Sequence, residues 1–235
     1  MQLNFMLLMV VLLFIGMAPM VYAEYVPSWV KNTAGWGATE AISETAFCYA
    51  FVCLINDPRS FTDYNKTYTV EYLGNVAGGN IIRYLNLENE DLKKYTIKSI
   101  KADDPVWFGC DVGKFFSRRY GVMDMNMYEF DRFYGTTFGM SKAERLEYGD
   151  SVMTHAMLFT GVDLKNNKPV KWRVENSWGA EHGEKGFDIM TDPWFDQFMY
   201  EVVVHKKHLT KKLIDLYNTE PIGLPPWDPM GSLAK

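Results

Sequence analysis

The sequence has 235 residues, of which 48% are hydrophobic and 15% aromatic, so it can bury one sizeable core. Its formal net charge is -5 and its pI is near 5.4. These values argue against a nucleic-acid-binding protein, because a phosphate backbone attracts clustered Lys and Arg side chains. We therefore expect one globular domain with a leader.

Residues 1–23 differ in kind from the rest of the chain. The stretch from Phe5 to Ile15 is almost wholly apolar, Pro19 interrupts it, and a small side chain follows at Ala23. This pattern predicts a secretory signal peptide, which would place the mature protein outside the cell or in the endomembrane lumen. No Lys or Arg precedes the apolar run, so an uncleaved membrane anchor and a mispredicted gene start are the alternatives.

Residues 24–51 form a separate N-terminal segment, rich in aromatic and turn-forming side chains. A helix is predicted over residues 38–54, because Thr39 is a suitable cap and apolar residues follow on one face. The sequence Asn-Asp-Pro-Arg at residues 56–59 is then expected to end that helix as a turn.

The remaining elements follow from alternation and helical spacing. Strands are predicted over residues 64–73, 105–110, 187–190 and 200–204, and helices over residues 90–102, 194–200 and 211–217. The stretch at 105–110 is too apolar for a surface strand, so it should lie at the centre of a sheet.

A two-stranded hairpin is predicted over residues 154–179. Apolar and polar residues alternate in both arms, with a polar turn around residues 165–168. The hairpin would bring His155 and Asn176 to the same end. A histidine held in one tautomer by a side-chain amide oxygen can accept a proton from a nucleophile, which is two-thirds of a cysteine-peptidase triad.

Neither the histidines near the C-terminus nor the cysteines indicate a metal or a disulfide framework. His205 and His208 are spaced like a weak metal pair, but we expect them to be surface side chains without a carboxylate partner. Cys110 lies in an apolar strand and should behave as a small buried hydrophobe. No metal or cofactor is expected.

Several short motifs of the sequence resemble those of a known family. Asn-Ser-Trp-Gly at 176–179 is similar to the segment of papain-like cysteine peptidases in which the Asn orients the catalytic His and the Trp shields their hydrogen bond. The words at 56–59, 106–113, 153–157 and 227–231 extend the resemblance to bleomycin hydrolases, also called aminopeptidases C. Only the C-terminal part of that family is matched, over residues 52–235.

The resemblance implies an α+β fold. It would be papain-like, with an antiparallel, barrel-like sheet and flanking helices, corresponding to the half that carries His and Asn. The helical half that carries the Cys would be missing. By resemblance, His155 is the general base, Asn176 orients it and Trp178 supports both, and the strand at 105–110 lies beside the strand of His155.

The nucleophile is the departure from the family. Cys48 faintly echoes the Cys-aromatic start of the catalytic helix, but Ile42 stands where the family has its Gln donor, and we do not expect Cys48 to be the nucleophile. The chain is therefore expected to be inactive alone as a thiol aminopeptidase. The alternative is an exported, non-catalytic remnant that binds peptides or peptidases.

The resemblance also bears on partners and location. It implies a peptide substrate, together with further copies of this chain or intact peptidase subunits, and no nucleic acid; a membrane is expected only if the leader stays uncleaved. Members of the family are typically cytoplasmic, in conflict with a leader. The family's C-terminus occupies the active-site cleft, so the tail at 221–235 would limit cleavage to residues near a substrate's N-terminus; an ordinary disordered end is the alternative.

Overall fold

The computed structural model of the chain describes residues 50–73 and 81–234. The predicted leader at 1–23, most of the segment at 24–51 and Cys48 lie outside the described residues. Within them, no helix combines the length and apolarity that crossing a membrane would require.

One sheet of eleven strands organises the described residues, in the order β11-β2-β3-β1-β10-β4-β7-β8-β9-β6-β5. The strands are β1 (Phe51–Ile55), β2 (Lys66–Val70), β3 (Tyr84–Asn86), β4 (Val106–Cys110), β5 (Phe116–Ser117), β6 (Val122–Met123), β7 (His155–Lys165), β8 (Lys168–Glu175), β9 (Phe187–Thr191), β10 (Met199–His205) and β11 (Ile222–Leu224). Every neighbouring pair from β1 to β9 in the central run is antiparallel. The predicted α+β class with an antiparallel sheet is confirmed.

Within residues 81–234, five α-helices accompany the sheet. They are α1 (Asn89–Ile100), α2 (Phe130–Tyr134), α3 (Lys142–Glu147), α4 (Asp192–Phe198) and α5 (Lys211–Tyr217). The amphipathic helix predicted over 90–102 is confirmed as α1, whose Leu92 and Tyr95 are buried. The final helix predicted over 211–217 is confirmed as α5.

The main core lies where α1 and α4 pack on the central strands, and α5, which packs on β2 and β3, adds Leu213 to it. Phe108 of β4 stacks on Phe159 of β7 with ring centroids 3.8 Å apart, and Trp172 of β8 stacks on Phe195 of α4 at 4.9 Å. All five residues of β4 are buried between β10 and β7. The prediction of a central strand beside the one that carries His155 is confirmed.

The helix predicted over residues 38–54 is wrong at its end, because residues 51–54 belong to β1. Val52 and Leu54 are fully buried, and β1 is hydrogen-bonded to β10 on one side and to β3 on the other. The apolar run satisfied a helical and an extended pattern alike, and only the partner strands favour the second.

A buried ion cluster follows β1, where the sequence predicted only a turn. The Arg59 guanidinium donates from Nε and Nη2 to both carboxylate oxygens of Asp57, at 2.9 and 2.7 Å. Nη2 also donates to Asp228 Oδ1 at 2.9 Å, across 169 residues of sequence. The tail is therefore attached to the turn after β1 by a single charge-assisted hydrogen bond from a guanidinium that Asp57 holds in place.

The C-terminal tail is ordered as far as the structure describes it, so the alternative of a disordered end is wrong for this part. Met230 is 1% exposed within a 3₁₀ segment at Pro229–Ala234. Ser232 Oγ donates to the carbonyl of Met153 at 2.7 Å. The tail thus reaches the loop two residues before His155.

Candidate active site

The predicted hairpin is present as β7 and β8. The strands are antiparallel with Lys165 opposite Lys168, and Asn166 and Asn167 form the two-residue turn with φ of 52° and 62°. Asparagine tolerates this left-handed backbone, which two-residue hairpin turns require at both central positions. His155 begins β7 and Asn176 follows β8 directly.

The loop before β7 is anchored by a second polar network. Asp111 accepts from Ser151 Oγ at 2.9 Å and from Thr154 Oγ1 at 3.3 Å. Tyr200 OH donates to Ser151 Oγ at 2.7 Å. Since Thr154 N also donates to the carbonyl of Cys110, the backbone that leads into His155 has little freedom.

The structure places the His155 and Asn176 side chains in contact. His155 Nε2 lies 3.0 Å from Asn176 Oδ1, and the Ser177 amide donates to the same oxygen at 2.8 Å. An amide oxygen can only accept, so Nε2 carries the proton in the neutral ring and Nδ1 is left as the basic nitrogen. No described residue hydrogen-bonds to Nδ1.

Asp188 completes this arrangement, and the sequence interpretation missed it. Asn176 Nδ2 donates to Asp188 Oδ2 at 3.0 Å, which fixes the orientation of the amide. Burial raises the pKa of Asp188, while the bond from Asn176 opposes that shift. The sequence feature that could have identified Asp188 is an acidic residue at an inward-facing position of β9, between the partly buried Phe187 and the exposed Ile189.

Trp178 stacks on the imidazole. The ring centroids of Trp178 and His155 lie 4.9 Å apart, with an angle of 24° between the planes. Phe116 packs on Trp178 at 5.8 Å, and the Arg118 guanidinium lies over it at 4.8 Å. His155 and Trp178 are each half-buried.

Burial lowers the pKa of His155. The bond to Asn176 and the Asp188 carboxylate raise it, and the Arg118 charge lowers it further. The net direction is downward from 6.5, so the imidazole is predominantly neutral at pH 7 and able to accept a proton.

Two cysteines are described, and Cys110 lies directly across the strand pair from His155. It is fully buried, and burial raises the pKa of its thiol well above 9.0. A thiol in that state is a poor nucleophile, as expected for a small core residue. Cys53 lies on β1, opposite Val203 of β10.

The expectation for His208 is wrong. Its side chain is 5% exposed and its Nε2 bonds to the buried Asp104 carboxylate, so it is a structural residue with an acidic partner. Asp104 follows α1, and the fold brings it to His208 across 104 residues. Within residues 50–73 and 81–234, no group of three His, Cys, Asp or Glu side chains could hold a metal ion.

Three comparisons place this geometry among known proteins. Residues 48–231 match the model of the Peptidase C1-like family. The chain is 52% identical over 188 residues to mouse bleomycin hydrolase, covering 78% of this chain and 41% of that protein. It is 48% identical over 184 residues to aminopeptidase C of Listeria innocua, covering 78% of this chain and 42% of that protein.

A solved structure agrees. The crystal structure of PepW from Lactobacillus rhamnosis superposes with a TM-score of 0.77 at 46% identity, covering 82% of this chain and 46% of that one. The papain-like fold expected from the sequence is confirmed. The chain spans less than half the length of these relatives.

Proposed function

The chain belongs to the Peptidase C1-like family, and from that premise we propose that it supplies the base and the orienting amide of a bleomycin-hydrolase-type cysteine aminopeptidase. Its substrate is then a peptide. The observation that carries the proposal is the 3.0 Å contact between His155 Nε2 and Asn176 Oδ1, which leaves Nδ1 as the basic nitrogen beside the stacked Trp178.

The roles follow from the chemistry of the three side chains. His155 Nδ1 accepts the proton of a cysteine thiol, and the thiolate attacks the scissile carbonyl carbon. Asn176 keeps the imidazole in the required tautomer and stabilises the imidazolium that forms. His155 then returns the proton to the leaving amine. Trp178 keeps water from the bond between His155 and Asn176.

The thiol is proposed to come from another polypeptide, so this chain alone is inactive. Of the two described cysteines, Cys110 is buried and protonated, and Cys53 lies on β1, which β10 and β4 separate from the strand that carries His155. A base without a nucleophile and an oxyanion donor retains little of the rate of a complete site. The Cys-bearing partner would be an intact peptidase subunit or a longer product of the same gene.

The position of the tail supports an aminopeptidase rather than an endopeptidase. Ser232 is hydrogen-bonded to Met153, two residues before His155. Leu233 packs against Gly109, so that a Cβ added to this glycine would lie 2.9 Å from Leu233 Cδ1. A tail segment held at one side of the base would leave room for only a short N-terminal stretch of substrate. We propose that this is how cleavage is limited.

Co-expression tests the proposal. The full chain is produced with the Cys-bearing remainder of mouse bleomycin hydrolase, and aminoacyl-coumarin turnover is measured with and without a thiol-reactive inhibitor. We expect thiol-dependent turnover that His155→Ala reduces by at least about a hundredfold. The matched control is His182→Ala, which removes an imidazole at the edge of Trp178 and should keep most of the activity.

The chain by itself provides the contrary outcomes. Turnover by the isolated chain that disappears in Cys48→Ala would identify Cys48 as the nucleophile and overturn the proposed inactivity. Peptide binding without any turnover, even with the Cys-bearing remainder present, would favour the exported binding remnant instead.

A further inference from the structure

Arg118 stands beside the proposed site on a turn that the fold holds firmly. The turn connects β5 and β6, and β6 lies parallel to β9, next to Asp188. Gly121 closes it at φ +62°, where an added Cβ would lie 2.6 Å from the Gly183 backbone and 2.7 Å from Asp188 Oδ1. Only glycine fits this position. The turn that carries Arg118 therefore packs directly against Asp188, the residue that orients Asn176.

The guanidinium is close to the base. It lies 4.8 Å from the centroid of the Trp178 ring, and the same ring stacks on His155 at 4.9 Å. The sum of these two distances is the upper limit of the separation between the guanidinium and the imidazole ring. An extended peptide advances about 3.3 Å per residue, so this separation corresponds to at most about three residues of a substrate chain bound at His155.

The charge of Arg118 is not used elsewhere in the described fold. Arg59 is paired with two carboxylates, and Arg145 donates to Met140 and Gln197. Arg118, by contrast, is exposed and has no ion pair or side-chain hydrogen bond with the residues that the structure describes. Its planar fork of N–H donors is therefore available to a ligand, on a chain whose net charge is -5.

We propose that Arg118 is a specificity residue that binds a carboxylate of the peptide lying across His155. This inference rests on the proposed function. A guanidinium binds a carboxylate through two parallel hydrogen bonds, and the Trp178 surface beneath it keeps water from one side. The carboxylate can be an acidic side chain or the C-terminus of a short peptide.

Peptide titration of the full chain tests this without any turnover. The 15N-labelled protein is titrated with three tripeptides: Ala-Glu-Ala amide, Ala-Gln-Ala amide and Ala-Gln-Ala with a free C-terminus. The shifts of the His155 and Trp178 side-chain signals give each Kd. We expect either carboxylate peptide, or both, to bind about two- to fivefold more tightly than the neutral amide, less so at high salt. The two carboxylate arms distinguish a side-chain from a C-terminal source.

Arg118→Gln should abolish the preference, and Arg118→Lys should keep part of it, because the charge remains while the fork is lost. The matched control is Arg119→Gln, which removes the same charge one residue away, where the guanidinium lies over Tyr120 at 5.4 Å. The control should retain the wild-type preference.

Three results would overturn the inference. They are equal affinity for all peptides in the wild type, a preference that persists in Arg118→Gln, and a preference that Arg119→Gln removes equally. In each of them the neutral peptide still shifts His155, so the proposed function stands. If no peptide shifts His155, both the inference and the peptide-binding role of the site fail.

Discussion

Two polar clusters of this protein are built from similar groups and differ in what they leave unpaired. The arginine cluster, Asp57, Arg59 and Asp228, is buried throughout, and its one guanidinium lies within hydrogen-bonding distance of both carboxylates. The histidine cluster, His155, Asn176 and Asp188, is also continuous, but its ring is half-buried and Nδ1 has no described partner.

The difference teaches how a structural cluster is distinguished from a chemical one. Burial opposes ionisation of Arg59, yet its two aspartate partners raise the pKa of the guanidinium above the ordinary value. Burial also dominates at His155, but there the partners do not offset it and the pKa falls. The Arg59 guanidinium therefore stays charged at every physiological pH, while the His155 imidazole is able to accept a proton.

The largest expected effect is on the arginine cluster. Arg59→Ala leaves two carboxylates buried without a cation and detaches the tail from β1, which should lower the free energy of unfolding by about 3 to 5 kcal/mol. Urea unfolding followed by circular dichroism measures it. Arg132→Ala, which breaks an exposed pair with Glu129, should change stability by less than about 0.5 kcal/mol. Equal losses in the two variants would refute the distinction.

Glu201 sharpens the comparison, because it is a buried carboxylate with no cation among its described partners. Burial raises its pKa to about 7 from 4.5. The folded state therefore binds more protons than the unfolded state between those values, and stability is lost as pH rises through this window. Glu201→Gln should be more stable than the wild type at pH 8 by roughly 1 to 3 kcal/mol.

The check on Glu201 is the difference between thermal or urea unfolding at pH 8 and at pH 4.5. At the lower pH the wild-type carboxyl is protonated in the folded state, so the advantage of the variant should nearly vanish. A difference that does not change with pH would contradict the assignment of this cost to ionisation.

Asp188 tests whether the histidine cluster acts as a unit. Asp188→Asn removes a negative charge that raises the pKa of His155, so that pKa should fall further below its ordinary value. NMR titration of the imidazole signals measures it directly. Asp163→Asn, on the exposed far part of β7, is the control. An unchanged pKa in Asp188→Asn would separate Asp188 from the cluster.

The smallest expected effect is the contribution of His155 to the pH dependence of stability. Its folded pKa lies below the unfolded value of about 6.5, so the unfolded state binds more protons and stability falls as pH drops through that window. His155→Ala should remove up to about 1 kcal/mol of the loss between pH 7 and pH 5. Unfolding curves at the two pH values measure it, and an identical slope in the variant would count against a depressed pKa.

Local patterns predicted much of the fold and part of the site. Alternation and a polar turn predicted β7 and β8, and helical spacing predicted α1 and α5. They were less decisive at residues 51–54, where an apolar run suits a helix or a strand. Pairing with β10 and β3 made it a strand.

The sequence by itself predicted that His155 and Asn176 lie at the same end of a hairpin, because a polar turn between two alternating segments sets which ends of the strands meet. Only the tertiary structure decided which groups surround them. Four contacts in this protein join segments that are distant in sequence: Asp188 with Asn176, Arg118 with Trp178, Asp104 with His208, and Asp228 with Arg59. No periodicity encodes such contacts, because burial and charge pairing depend on how the whole sheet brings its strands together.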